Sequence, residues 1–341
     1  MSYDSGTRIA TNPAESWETV KNPAAAGWSE AGLSAVNACA DGQETDALMI
    51  VQGGKIIYTY GDVTHKYLCH SIRKSILAAL MGQDVADGTI DLSLTMEQLG
   101  IDDNDGLSEV EKQATVYDLL TARSGIYHAA GYETPWMRMI KEKRHSHAPG
   151  TFWCYNNWDF NALGTIFEQL TGQTVHQAFE ERIAKPLQFE DFNLSGDNSG
   201  GRPDGWHERF TESRHAAYPF RLSTRDLARF SQLYLRNGRW NGEDVLPKGW
   251  AQECVMPYSD AGAKGAYGYM WWLERDGVFF PGVVTPKGSY AGFGAGGHSC
   301  ITLPALDMVI VHRVDTDVPG RNLSKHKFGR LLKLILDAFQ G

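Results

Sequence analysis

A serine three residues ahead of a lysine, at the head of an apolar run, is the pair of residues in this sequence best placed to do chemistry. The run is HSIRKSILAAL, from His70 to Leu80. At positions i and i+3 of a helix, side chains are neighbours, with Cβ atoms about 5–6 Å apart. The Lys74 amine can therefore reach the Ser71 hydroxyl. A serine hydroxyl is a poor nucleophile until a base takes its proton. Lysine is such a base only where burial or a nearby cation lowers its pKa. The apolar residues after Lys74 predict a buried helix, which is the environment the chemistry needs. Arg73 is adjacent in sequence but leaves the helix in another direction. A serine at a helix N-terminus also offers its own N–H to a developing oxyanion. Taken alone, the pair fits two polar residues on an ordinary helix just as well, because the pattern is short.

A second stretch, WCYNNWDFNALG, places Tyr155 and Asn157 in a Tyr-x-Asn arrangement ahead of a helical pattern. Tyrosine can act as a general base or proton relay when a cation supports its phenolate. Asn157 offers a donor and an acceptor to a substrate carbonyl. An aromatic loop with an asparagine cap would read the same.

The elements that must position these residues are read from periodicity and turn signals. WSEAGLSAVNACADG predicts a short helix with Ser29 as N-cap and Gly42 as stop. DALMIVQGGKIIYTYGD predicts a hairpin about Gly53 and Gly54. From Ser71 the pattern is helical, with Ile72, Ile76, Leu80 and Met81 on one face and Gly88 as terminator. Further helices are predicted in TVYDLLTARSG (Thr115 to Gly125), in NNWDFNALGTIFEQLTG and, capped by Ser223 or Thr224, in STRDLARFSQLYLRNG. After Gly265 the strand pattern returns in AYGYMWWLE, GVFFPGVV, SYAGFGAGG and SCITLPALDMVIVHRV, and HKFGRLLKLILDAFQ closes the chain as an amphipathic helix.

This order predicts an α/β plus all-α fold. One antiparallel sheet takes strands from both ends of the chain, with the N- and C-terminal helices flanking it and a helical domain inserted between. The expected division is 1–70 and 215–341 for the sheet domain, and 71–214 for the helical domain carrying Ser71, Lys74 and Tyr155. A cleft between the two is the natural place for a site.

The two motifs together, in this order of elements, resemble the serine β-lactamase and penicillin-binding-protein superfamily. The resemblance is to its class C β-lactamase-like branch, with the family VIII carboxylesterases and 6-aminohexanoate-dimer hydrolases. It extends roughly from Trp28 to the end, through LLTARSGIYH, PGTFWCYNN, FNALGTIFEQLTG, STRDLARF and YGYMWW. It implies the β-lactamase/transpeptidase-like fold and an acyl-enzyme mechanism. Ser71 would be the nucleophile. Lys74 would activate it and hold Tyr155 in its working state. Tyr155 would take the hydroxyl proton and give it to the leaving group, and Asn157 would orient the substrate.

The third motif of that family, Lys-Thr-Gly or His-Thr-Gly, has no direct match. In GSYAGFGAGGHS the nearest equivalent is Gly292-Phe293-Gly294, with Tyr290-Ala291-Gly292 as second choice. Gly294 or Ala295 would then join the Ser71 N–H in an oxyanion hole. The cation that would hold a substrate carboxylate is missing, which favours neutral esters or small amides over β-lactams and D-amino peptides. His298 is a candidate replacement. Tyr127 is expected in the site, and one or two of Trp153, Trp158, Trp271 and Trp272 along its walls.

Other readings are set aside on their residues. GHSCI lacks the closing glycine and the succeeding helix of a nucleophile elbow. DDNDG would put Ile101 and Lys112 at the first and twelfth positions of a calcium loop. His145 and His147 have no third ligand at helical spacing, so no metal and no cofactor are expected. The five cysteines are odd in number and form no Cys-x-x-Cys pair, which argues against a disulfide scaffold or a structural zinc. With 341 residues, 42% hydrophobic and 21% charged, the composition is that of a globular protein, and a net charge of −9 disfavours nucleic acid or an anionic membrane as partner. The polar N-terminus has no apolar signal core, so a cytoplasmic location is expected, or a periplasmic or secreted one had a leader been removed. The partner expected is a small ester or amide. The rivals are a β-lactamase or D-amino-peptide hydrolase, and a ligand-binding module on the same fold that has lost catalysis.

Overall fold

The computed structural model describes residues 12–195 and 203–341. The first eleven residues of the polar N-terminal stretch, and 196–202 of the expected helical domain, lie outside them. Helix α1 (Glu30–Asp41) begins at Ser29, whose hydroxyl accepts the Gly32 N–H at 3.1 Å and so satisfies one free donor of the first turn. Strands β1 (Ala47–Gln52) and β2 (Lys55–Gly61) form the expected hairpin. Gly53 and Gly54 sit at φ 60° and 79°, the left-handed values this two-residue turn requires. Helix α2 (Ile72–Ala86) buries twelve of its fifteen residues, so it is enclosed all round rather than along one stripe. Helix α3 (Asn157–Thr171) ends at left-handed Gly172, and α4 (Thr224–Leu235) is capped by Ser223, which accepts the Asp226 N–H at 3.1 Å. Helix α5 (Lys325–Ala338) is the last element.

The remaining strands of the main sheet are β3 (Ser259–Asp260), β4 (Ala266–Tyr267), β5 (Trp272–Leu273), β6 (Tyr290–Gly294), β7 (His298–Leu303) and β8 (Met308–Arg313). The spatial order is β2-β1-β8-β7-β6-β5-β4-β3, antiparallel throughout. Every residue of β1, β7 and β8 is buried, because both faces of the sheet centre are covered. On one face α1 and α5 pack together so closely that a Cβ on Gly32 would stand 2.7 Å from the Ala338 Cα. His312 turns to that face, its ring centre 4.9 Å from Phe328. Arg313 turns to the other, where its guanidinium donates to the Leu222 and Tyr67 carbonyls at 3.0 and 2.8 Å. That second face is covered by α4 and by the start of α2. This is the mixed α/β fold with a large antiparallel sheet that the element order predicts. No helix among the described residues is long and apolar enough to cross a membrane.

Three segments depart from the sequence reading. TVYDLLTARSG is helical only over Val116–Leu120. The chain then turns through Ala122 at φ 56°, whose carbonyl accepts the Cys154 N–H at 2.9 Å, and so leaves the helix to support the segment before Tyr155. AYGYMWWLE is two short strands joined by a turn, not one. GVFFPGVV is a small hairpin, Val278–Phe280 with Val283–Val284, outside the main sheet.

Candidate active site

Ser71 stands where the chain turns into α2. His70 before it has φ 48°, a left-handed value rare outside glycine. The first turn is tightened by i→i+3 bonds, from Arg73 N–H to the His70 carbonyl at 3.3 Å and from Lys74 N–H to the Ser71 carbonyl at 3.1 Å. Strand β6 lies directly against this turn, and its glycines allow it. A Cβ on Gly294 would be 2.7 Å from the Cys69 carbonyl oxygen, and one on Gly292 would be 3.2 Å from the Ser75 hydroxyl. Strand β5 pairs with β6 only at Tyr290 and Ala291, so on that side the backbone from Gly292 onward has no strand partner. That free edge and Ser71 open into the same cleft, of about 1070 Å³, with Ser71, Tyr155, Phe293, Gly294 and Ala295 on its lining.

Lys74 and Ser71 meet as the i, i+3 spacing requires: Nζ is 2.7 Å from Oγ. Lys74 is 2% exposed, and Nζ lies 4.9 Å from the centre of the Tyr155 ring and 5.0 Å from that of Phe160. Burial pushes its amine well below the ordinary lysine range, and the Arg73 guanidinium pushes the same way. An amine in its neutral form has a lone pair for the Ser71 proton. Burial pushes the Tyr155 hydroxyl up to about 12, against the pull of a hydrogen bond with Ser71 and of the Arg73 charge. Tyr155 therefore keeps its proton and is available as an acid.

The start of α3 fixes Tyr155 in place. Asn156 caps that helix by accepting the Trp158 N–H at 3.2 Å, and its amide donates to the Ile126 carbonyl. Asp159, one turn in, bonds the Ser124 hydroxyl at 2.6 Å, and burial holds its carboxyl well above the usual carboxylate range. The Tyr155 ring packs between Trp272 and Phe160, with centroids 5.3 and 5.0 Å away.

Three residues expected at the site lie off the cleft lining. Asn157 is buried, and its amide donates to the Tyr132 and Gly131 carbonyls at 2.8 and 3.3 Å, so its donor side braces that loop. Tyr127 is buried behind the cleft, its ring edge-on to His147. His298 is 1% exposed, and its Nδ1 accepts from Arg313 Nε at 3.0 Å. Burial and the Arg313 charge keep it neutral, so it does not replace the missing cation. Trp153 and Trp272 line the cleft, while Trp158 and Trp271 are core residues with no exposure.

Sequence reasoning missed Lys325, the first residue of α5. Its Nζ reaches the cleft over the faces of Phe293 and Trp272, 5.2 and 5.5 Å from their centres, and forms no ion pair among the described residues. No local pattern marks it, since it meets the site only through the packing of α5 against α1 and the 278–284 hairpin. Arg73, set aside in the sequence, is fully buried within electrostatic reach of Lys74.

Comparison with known proteins gives a match to the beta-lactamase family over residues 35–332. Among solved structures, a protein from Bacillus anthracis provisionally described as a 6-aminohexanoate-dimer hydrolase superposes with TM-score 0.65 at 18% identity. That match covers 96% of this chain and 89% of the other. EstCE1, described as a hydrolase with promiscuous acyltransferase activity, gives 0.63 at 16% identity over 91% of this chain and 98% of its own. A penicillin-binding-protein homologue from Caulobacter crescentus gives 0.67 at 13% identity over 92% and 99%. At these identities the likeness is one of fold.

Proposed function

This chain belongs to the beta-lactamase family, and from that premise we propose that it is a serine hydrolase cleaving carboxylic esters or small amides through an acyl-enzyme on Ser71. The observation that carries the reading is the 2.7 Å contact between the Lys74 amine and the Ser71 hydroxyl at the edge of the cleft. Neutral Lys74 takes the Oγ proton as Oγ bonds to the acyl carbon, and the carbonyl electron pair moves onto oxygen. The N–H of Ser71 and that of Gly294 or Ala295 receive this oxyanion. As the tetrahedral species collapses, the bond to the leaving alcohol or amine breaks. The leaving group departs with the Tyr155 proton, and Lys74 returns the proton it took to Tyr155. Water, deprotonated by the same pair, then attacks the acyl carbon, and the acid leaves as Ser71 regains its proton.

A second reading, a β-lactamase or D-amino-peptide hydrolase, has one observation in its favour. The cation absent from the strand motif has a counterpart in Lys325, which comes to the cleft from the other end of the chain.

The test is intact-protein mass with peptide mapping after exposure to p-nitrophenyl butyrate and, separately, to a cephalosporin, with Ser71→Ala as control. A short-lived butyryl adduct on Ser71 supports the esterase. A long-lived adduct from the cephalosporin alone supports the second reading. No adduct from either, in a folded protein, supports a binding module without catalysis.

A further inference from the structure

Two basic residues occupy the first turn of α2, and one of them, Lys74, touches Ser71. The other, Arg73, has no exposed surface. A buried guanidinium ordinarily has a carboxylate against it. Here Nη2 donates to the Asn161 amide oxygen at 2.7 Å, while Nε and Nη1 have no partner. The guanidinium lies 4.3 Å from the centre of the Tyr218 ring and 5.8 Å from that of Tyr132.

The ionisable groups on the elements around it supply no counter-charge at contact. On α3, burial holds the Asp159 carboxyl well above the usual carboxylate range and Ser124 and Asn156 donate to it, and Glu168 is engaged by His207 at 2.7 Å and by the Val175 N–H at 2.9 Å. Tyr155 precedes that helix, and Tyr267 on β4 is held protonated by burial. His176, on the short helix Val175–Phe179, has its pKa pushed by burial down to about 4 and bonds the Pro219 carbonyl. Glu253 and Cys254 lie on Trp250–Cys254, with the Cys254 thiol raised by burial. On β7, His298 is held neutral beside Arg313. Glu208 interacts with the Tyr132 hydroxyl.

An unpaired charge away from water is costly, and a methionine would fill the space between two tyrosines without that cost. Packing alone therefore does not account for the arginine. We propose that Arg73 is a positioning residue acting through its charge: the guanidinium keeps the neighbouring Lys74 amine neutral, and so fit to take the Ser71 proton, at the pH where the enzyme works. The inference rests on the serine-hydrolase reading above. Protonating Lys74 would put a second positive charge within electrostatic reach of Arg73 in a dry site, so Arg73 opposes the ammonium form. The same charge favours the phenolate of Tyr155. The effect on Lys74 extends activity toward lower pH, while the effect on Tyr155 eases the loss of the proton it donates.

The test is kcat/KM against pH with p-nitrophenyl butyrate for wild type, Arg73→Met, Arg73→Lys and Asn161→Asp, each checked for fold by circular dichroism. Arg73→Met should move the acid limb up by about one pH unit, a tenfold loss on that limb that disappears at higher pH. Arg73→Lys should restore the limb only to the extent that its own buried amine stays protonated, so Asn161→Asp carries the charge test. Asn161→Asp keeps the arginine but sets a carboxylate against it, and should move the limb in the same direction as Arg73→Met. This variant reads the charge even where Arg73→Met does not fold. A limb unmoved in Asn161→Asp and in any folded Arg73→Met overturns the proposal and makes Arg73 a packing residue. A wild type with neither turnover nor adduct overturns the hydrolase reading, and this inference with it.

Discussion

Replacing Lys74 with methionine should cost activity and add stability. The side chain is 2% exposed, its one hydrogen-bond partner among the described residues is Ser71, and burial with the Arg73 charge holds the amine well below the ordinary lysine range. In the unfolded chain the amine titrates near 10.4. Between the depressed folded value and that figure, the unfolded state binds more protons than the folded one. Stability from this group therefore rises with pH through that window, and at neutral pH its cost to folding is still present. Methionine has nothing to titrate and a similar volume. Replacing buried charged groups with well-packed apolar ones of similar size gains about 1–4 kcal/mol. Losing the Ser71 hydrogen bond gives back about 1 kcal/mol. The net gain at neutral pH is then on the order of 1–3 kcal/mol, at about 2–4 °C of Tm per kcal/mol for a chain somewhat smaller than this one. The assay is paired thermal or urea unfolding of wild type and Lys74→Met from about pH 7 to about pH 10, the window set by the linkage. The advantage of the variant should shrink as pH rises, while kcat/KM for p-nitrophenyl butyrate falls by about 10²–10⁴. A variant less stable than wild type at neutral pH, or an advantage that does not change with pH, would refute the reasoning.

Tyr155→Phe should lower kcat by about 10²–10⁴ with KM nearly unchanged, because only the proton donor to the leaving group is removed; steady-state kinetics decides it. Gly294→Ala puts a methyl 2.7 Å from the Cys69 carbonyl oxygen and 2.9 Å from the His298 Cβ. It should cost about 1–3 kcal/mol in a melt and slow acylation, since strand and nucleophile turn must separate. An unchanged Tm would mean that the close approach of β6 to α2 is not tight. Lys325→Gln should raise KM for a p-nitrophenyl ester ending in a free carboxylate by up to about fivefold, the ceiling for a solvent-open charge pair. KM for the butyrate ester should rise less, and equal effects on both esters would remove Lys325 from substrate recognition.

The features legible in the sequence are those set by neighbours along the chain. Ser71 and Lys74 meet because a helix brings i and i+3 together. The hairpin at Gly53-Gly54 and the caps at Ser29 and Ser223 arise from side-chain or backbone chemistry within a few residues. The predicted helix from Thr115 to Gly125 failed where a long-range contact took over, since Ala122 turns out of the helix to pair with Cys154.

The sequence by itself determined the contact of Ser71 with Lys74, the order of elements and hence the family, because these depend on local periodicity and on residue types at short spacing. Only the tertiary structure decided which polar residues face the cleft. Asn157 sits two residues from Tyr155 yet turns to the carbonyls of another loop, because the chain passes from the extended cap Asn156 into the helix between them. His298 lies on the strand beside the oxyanion candidates, but its ring is held by Arg313 beneath them. Lys325 reaches the cleft from the last helix, and Arg73 loses its water only when Tyr132, Tyr218 and Asn161 close around it. Burial and the distance between charges set the protonation of such groups, and both are properties of the packed chain rather than of any segment.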